Sequence, residues 1–280
     1  MFRNFGRILA GFAALVALLL AMAPTALGAS APFTLRIPAV MVHRVQCDVP
    51  PVSIKNKGLF LCPNTFDAQL QLLSQQGWST ITAAQLADDM VSGTCPAPKT
   101  FVITIDDGAL DGYTNGAPIM EKYGFTATFA MVAGKVGDYL TNPNLSKPHF
   151  SWDQARDLVV RGFDIANHTM DHVSIAKLSQ AGLDREVQAA QDLFLQQLGF
   201  APKVFVYPYG SVGKGTAPAY LSSRFELAFT DPGNDGAKNG AYESTADPMH
   251  APRIRDSRST TPAALLKLMK PFSNPCGSTN

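Results

Sequence analysis

Charge is scarce in this chain and neither sign prevails. Of 280 residues, 16% are charged, 23 basic against 22 acidic. No basic block and no aromatic-basic stripe occurs, which argues against nucleic acid as a partner. No Cys-x-x-Cys pair is present, so a cysteine-based metal site is not expected. There is no Gly-x-Ser-x-Gly elbow, which excludes that form of serine hydrolase. Gly213-Lys214-Gly215-Thr216 lacks the order of a phosphate-binding loop, and no Gly-x-Gly-x-x-Gly follows a strand. Low-complexity linkers and internal repeats are also missing.

What is there begins with a leader. Residues 1–28 hold Arg3 and Arg7, an apolar run from Ile8 to Met22, and then small residues in Ala26-Leu27-Gly28-Ala29-Ser30. This is the layout of a secretory signal peptide cleaved near Gly28 or Ala29. The run is short for a membrane span of ~20 residues, so no stable insertion is expected after cleavage. No acid falls in the leader, which leaves 21 basic and 22 acidic residues in the exported part. Periplasmic and extracellular destinations read alike. Residues 29–280 suit one large α/β domain.

All four cysteines, Cys47, Cys62, Cys95 and Cys276, follow the leader. Export favours disulfides, and four cysteines allow three pairings. A Cys47–Cys62 bond would close a local loop. A Cys95–Cys276 bond would tie the C-terminal tail to the body.

Along the chain, short apolar runs alternate with amphipathic stretches. Strands are expected at Thr34–Val42, Ser79–Ile81, up to Asp106, Thr126–Val132, Phe163–Ala166 and Val204–Tyr207, with short candidates at Glu226–Phe229 and Pro252–Ile254. Helices are expected from Phe66 with Asn64 or Thr65 as cap, over Ala83–Met90 behind Thr82, over 113–123, from Ser151 to about Arg161, from Ser179 to Leu198 and over Pro262–Met269. Residues 46–63 read as loop. Such alternation, seven or eight times over, implies parallel strands with helical crossovers, and its count favours a barrel over an open sheet. In a barrel the active site gathers at the C-terminal strand ends. His43, Asp106, Asp107, His168 and Tyr209 all fall there.

Val102-Ile103-Thr104-Ile105-Asp106-Asp107-Gly108 ends a buried-type strand in two carboxylates and a glycine. Neighbouring strand side chains point to opposite faces, so both acids can serve one site only where the chain turns. A surface Asp-Asp-Gly turn would look the same in isolation. His168-Thr169-Met170-Asp171-His172 places two of the five histidines four apart, which suits two ligands of one ion. With Asp107 they make a two-imidazole, one-carboxylate set with open positions. Asp106 is then left as a base toward water. His250 reads as a surface residue, His149 carries no assigned role, and Trp152 reads as core or groove wall.

These stretches resemble the NodB-type polysaccharide deacetylases, carbohydrate esterase family four. Thr104-Ile105-Asp106-Asp107-Gly108 is similar to their Thr-Phe-Asp-Asp-Gly motif, and His168-Thr169-x-x-His172 to their His-Ser/Thr-x-x-His motif. Phe205-x-Tyr207-Pro208-Tyr209-Gly210 resembles the third motif. Val42-His43-Arg44-Val45 and Phe66-Asp67-Ala68-Gln69-Leu70 resemble segments of the exported poly-N-acetylglucosamine deacetylase branch. The resemblance implies a distorted (β/α) barrel of about seven parallel strands and a divalent metal, usually Zn2+, on Asp107, His168 and His172. It implies a metal-bound water activated by Asp106, an oxyanion held by the metal and the Tyr209 backbone N–H, and a leaving amine protonated by His43. The third motif lacks the arginine that many members place beside the catalytic aspartate, and Arg253 is the expected substitute. The implied substrate is an acetylated amino-sugar polysaccharide. An O-acetyl esterase acting on a xylan-type glycan, a non-catalytic glycan-binding relative and an amidohydrolase of small cyclic amides are the alternatives. Nothing in the sequence signals an oligomeric state.

Overall fold

Alternation along the strands decides what this fold can put in its centre. The computed structural model describes residues 33–49, 57–142, 144–231, 241–243 and 247–278. The leader read over residues 1–28 lies outside them. Ten strands occur among the described residues: β1 (Phe33–Val42), β2 (Ser79–Thr80), β3 (Thr100–Ile105), β4 (Thr128–Met131), β5 (Asp164–Asn167), β6 (Val204–Val206), β7 (Leu227–Phe229), β8 (Ala241–Glu243), β9 (Ile254–Arg255) and β10 (Cys276–Ser278). β1, β3, β4, β5, β6 and β7 lie side by side and parallel in that order. The segment from Ala251 to Arg255 closes the ring. Ala251 bridges Phe229 at the end of β7, and β9 pairs in parallel with Val40 and Met41. Seven parallel strands thus form the expected distorted barrel.

Two antiparallel additions, β8 and β10, lie along β1 and were not expected. β10 carries Cys276, which is bonded to Cys95, and Cys47 is bonded to Cys62. Two expected helices are interrupted. Residues 112–116 form a π-turn before the helix Ala117–Glu121, and Asp184–Gln188 form another between Gln180–Leu183 and Ala189–Leu198. The first long helix starts earlier than expected, at Pro63 behind Cys62, because a proline at the first helical position gives up no needed N–H. Thr82, Ser151 and Thr261 cap their helices with side-chain bonds.

One apolar cluster takes alternate strand residues: Leu35, Ile37 and Ala39, then Val102, Ala130, Ala166, Val204, Val206, Leu227, Phe229 and Ala251. It is the barrel interior, and Ala83, Leu86 and Ala87 of the helix Ala83–Ser92 complete it from one end. That helix starts at the N-terminal ends of two strands: the Ala83 N–H donates to Thr128 Oγ1 and the Ala84 N–H to Asp164 Oδ2. The opposite residues (Val40, Val42, Phe101, Ile103, Ile105, Phe129, Ile165) pack outward against Phe66, Leu70, Met120, Leu158 and Phe194 of the helices. One barrel mouth is therefore plugged, and chemistry is left to the other.

Asp256, just past β9, is buried between barrel and helix. Its Oδ1 accepts from Gln69 Nε2 at 3.0 Å, and Oδ2 has no partner. Burial pushes its carboxyl up to about 7. Between about pH 4 and pH 7 the folded chain therefore keeps a proton that the unfolded chain has released, and stability falls as pH rises through that window. Asp256→Asn keeps the Gln69 bond and removes the ionisation. The variant is expected to match the parent near pH 4 and to exceed it at pH 8, by ~4 kcal/mol at most. Urea unfolding at both pH values checks this. An equal shift at both would show that ionisation is not the cause.

Candidate active site

The strand residues that face inward continue past the strand ends as polar groups. His43 follows Leu35, Ile37 and Ala39 in the same alternation. Asp106 follows Val102 and Thr104, His168 follows Ala166, Asp231 follows Phe229, and Arg253 and Arg255 follow Ala251. The period of two thus aims one residue from each of several strands into the open mouth. Asp106, Asp107, His43, His168, His172, Tyr209, Asp231 and Arg255 line one cleft of about 650 Å³ there.

Asp106 is buried against Arg253, which has no exposed surface. Arg253 Nη1 lies 2.8 Å from both carboxylate oxygens and also donates to Thr104 Oγ1 at 2.9 Å. Its Nε donates to the Thr230 carbonyl at 3.0 Å and Nη2 to Asp231 Oδ1 at 2.6 Å. Every nitrogen of the guanidinium is used, so its plane is fixed. His43 Nε2 stands 3.9 Å from Asp106 Oδ2, while its buried Nδ1 has no partner.

Asp107, His168 and His172 form a second group. Their ligand atoms lie within 4.8 Å of one another. His168 Nε2 is 3.5 Å and His172 Nε2 3.2 Å from Asp107 Oδ1. The Nδ1–H of His168 donates to the Val206 carbonyl at 2.7 Å, which leaves Nε2 as the atom able to coordinate an ion. Burial alone would raise Asp107 and lower His168. Their mutual bonding outweighs it, holding Asp107 well below the usual carboxylate range and raising His168. Two imidazole nitrogens and one carboxylate oxygen in this closeness fit a divalent cation.

The two histidines share a turn rather than a helix. Asn167 Oδ1 accepts from the Thr169 N–H at 2.8 Å, and Thr169 Oγ1 accepts from the His172 N–H at 2.9 Å. Asp107, Thr169, His172 and Tyr209 have φ of 71°, 69°, 60° and 60°. This left-handed conformation costs a non-glycine residue on the order of 1 kcal/mol or more, and such strain gathers where geometry serves a task. The neighbouring π-turn pins the histidine loop. Glu186, fully buried in that turn, accepts the Met170 N–H on its carbonyl and the Asp171 N–H on its carboxylate.

Tyr209 is 58% exposed at the rim, its hydroxyl 3.2 Å from His172 Nδ1 and its ring centroid 4.7 Å from that imidazole. Gly210 beside it has φ +63°, and a Cβ there would collide with the Asp231 backbone nitrogen. His250 lies outside the cleft with Nδ1 2.7 Å from Asp247 Oδ2. Trp152 packs edge-on to Phe194 at 5.6 Å, against the core. His149, which carried no expected role, lines the cleft.

Sequence reasoning missed Asp231 and the pair Arg44–Asp111. Asp111 holds Arg44 Nε at 2.6 Å and the Val45 N–H at 2.6 Å, so the loop after Asp107 grips the chain just past His43. Position relative to the Asp106-Asp107 pair, four residues on, was the only available signal for Asp111. For Asp231 it was the alternation of β7 continued two residues past Phe229.

The polysaccharide deacetylase family matches residues 93–226 of the chain. YxkH of Bacillus subtilis, which carries a provisional polysaccharide deacetylase name, is 24% identical over 208 residues, 74% of this chain and 69% of that protein. Among solved structures, the deacetylase PplD of Streptococcus pyogenes superposes with a TM-score of 0.71 at 23% identity, covering 84% of this chain and 98% of PplD. IcaB from Ammonifex degensii gives 0.67 at 22% identity, with 84% and 97% covered. At these identities the structural likeness is one of fold, and it covers more of the chain than residues 93–226. The chain carries a polysaccharide deacetylase domain of the NodB type, from a family of hydrolases that act on amide C–N bonds.

Proposed function

We propose that this chain is an exported, metal-dependent deacetylase that removes N-acetyl groups from an amino-sugar polymer. The observation that carries the reading is the placement of two differently bonded aspartates in one cleft. Asp106 is bound by Arg253, and Asp107 by His168 and His172. A divalent cation, zinc first, held by Asp107, His168 and His172 would supply Lewis acidity toward the acyl oxygen and acidify water. Asp106 acts as general base toward the attacking water, because it faces the cleft and stands outside the donor set. Arg253 fixes which way its oxygens point. His43 protonates the leaving amine from beside Asp106. The Tyr209 N–H is assigned to the developing oxyanion. The likeness of the His43 and Phe66–Leu70 segments to the exported poly-N-acetylglucosamine branch supports that class of polymer.

The test is acetate release by the zinc-loaded chain without its leader. N-acetylglucosamine oligomers and acetylated xylan are the substrates, each before and after chelation. Acetate from the oligomers, lost on chelation and restored by zinc, is the expected result. Acetate from xylan alone would move the reading to an O-acetyl esterase on the same site. No acetate from either would overturn the deacetylase reading.

A further inference from the structure

One wall of the cleft is built from a segment that the proposed chemistry does not use. Residues 135–142 and 144–150 follow β4 and fold back onto the chain just after Asp107. The Phe150 N–H donates to the Gly108 carbonyl, the Leu110 N–H to the Pro148 carbonyl, and the Gly137 N–H to the Phe150 carbonyl. Ala109 and His149 form an antiparallel bridge. His149 is therefore tied by backbone bonds to the residues that follow the aspartate pair, and its place relative to Asp107 is set by secondary structure.

Its side chain is fixed as firmly. Asp138 accepts the His149 backbone N–H on Oδ1 at 2.8 Å, and its Oδ2 lies 2.6 Å from His149 Nδ1. With a carboxylate at Nδ1, the Nδ1–H tautomer is held, and Nε2 keeps a lone pair. No residue of the described structure takes Nε2, which is not buried, and His149 lines the cleft with Asp138 and Lys135. Burial lowers the pKa of His149 and outweighs the raising effect of the Asp138 carboxylate, with Lys135 adding to the lowering. In the neutral ring with its proton on Nδ1, Nε2 is an acceptor. A fixed neutral acceptor, oriented from behind by a carboxylate, suits a hydroxyl donor.

We propose that His149, oriented by Asp138, is a substrate-positioning residue whose Nε2 accepts a hydrogen bond from a hydroxyl of a sugar in the cleft. The proposal rests on the glycan-deacetylase reading and names a residue that sets which glycans the site holds. One neutral hydrogen bond of this kind is worth about a tenfold change in affinity or less.

Two measurements separate this proposal from the reading beneath it. The first is binding of an N-acetylglucosamine tetramer, by calorimetry, in an Asp106→Asn background where turnover does not interfere. Adding His149→Ala is expected to weaken binding three- to tenfold, and His149→Gln, whose amide oxygen is also an acceptor, to recover part of it. The second is steady-state acetate release. His149→Ala should raise KM for the tetramer by the same factor with kcat within about twofold. The ratio of kcat/KM for the tetramer to that for 4-nitrophenyl acetate should fall in step. A structural defect would instead lower both substrates together. Asp138→Asn supplies a spectroscopic check, because an amide can donate to Nδ1 and turn Nε2 into the N–H. The 15N shifts of His149 should exchange between its two nitrogens, and tetramer binding should weaken as in His149→Ala. Tetramer binding unchanged by His149→Ala, or no tetramer binding in either background, overturns the proposal. Tetramer binding that depends on His149 in a chain that releases no acetate would uphold it and sink the deacetylase reading alone.

Discussion

Asp106→Asn is expected to lower kcat for acetate release by about 10²–10⁴-fold, the usual reach of a general base. Three features make this the informative substitution at the site. Asparagine has the same shape, so one oxygen can still accept from Arg253 Nη1, now bonded to both Asp106 oxygens at 2.8 Å. Arg253 also keeps Asp231 and Thr230, so its charge is not stranded. Finally, Asp106 is outside the set of Asp107, His168 and His172, so zinc content should stay near one per chain. KM should move little, because the lost function belongs to the proton and not to the sugar. Asp107→Asn provides the contrast, since it should lose the metal as well as the activity. Acetate release by Asp106→Asn within tenfold of the parent, at full zinc content, would remove Asp106 as the base.

Much of this site was legible because it follows from alternation and from turns. A strand that ends Thr104-Ile105-Asp106-Asp107-Gly108 sends Asp106 into the barrel with Thr104 beneath it. Asp107 then reaches the same cleft because the chain turns at once. The turn does not rest on Gly108 alone: Asp107 itself adopts φ 71° before Gly108 takes φ 70°. Aspartate tolerates that conformation better than most residues, which no composition argument reveals at a single position. The seven parallel strands were legible for the same reason, since buried β-branched runs alternate with helical spacing. The expected placement of Arg253 near Asp106 rested on family resemblance and on a missing arginine, and the structure puts the two groups in contact.

What was not legible depends on pairings between distant segments. Asp231 matters through Arg253, twenty-two residues later, and the alternation of β7 that reaches it says nothing of that partner. The π-turn at Asp184–Gln188 lies inside a stretch whose apolar spacing still reads as one helix. Its role appears only when Glu186 is seen holding Met170 and Asp171. His149 was passed over because a histidine in a proline-containing loop carries no periodicity. Its partner Asp138 and its bridge to Ala109 come from a fold-back that sequence spacing does not encode.

Arg253→Ala is expected to cost about 3–5 kcal/mol of folding stability, as does removal of one partner from other buried ion pairs. The physical reason is what remains. Asp106 and Asp231 are both buried, and each now has a guanidinium nitrogen within 2.8 Å. Without the cation they would face each other as two carboxylates, with Arg255 Nη2, 3.4 Å from Asp231 Oδ2, and His43 Nε2, 3.9 Å from Asp106 Oδ2, left at ion-pair distance among the described residues. The Thr230 carbonyl and Thr104 hydroxyl would lose partners as well. Lysine keeps the charge but cannot span Asp106, Asp231 and the Thr230 carbonyl from one ammonium, so Arg253→Lys should fall between alanine and the parent. Urea unfolding at pH 7 measures both. The sharper comparison adds Asp231→Asn to each background. In the parent, Asp231→Asn should destabilise, because Arg253 loses a countercharge. In Arg253→Ala it should stabilise, because it removes one of two unpaired carboxylates. The same substitution thus changes sign with its partner, which a loss of packing volume would not produce. If Asp231→Asn has the same effect in both backgrounds, Arg253 acts there as a space-filling side chain and the charge argument fails. Activity should fall in Arg253→Ala even where the chain stays folded, since the oxygens of Asp106 would no longer be held toward the cleft.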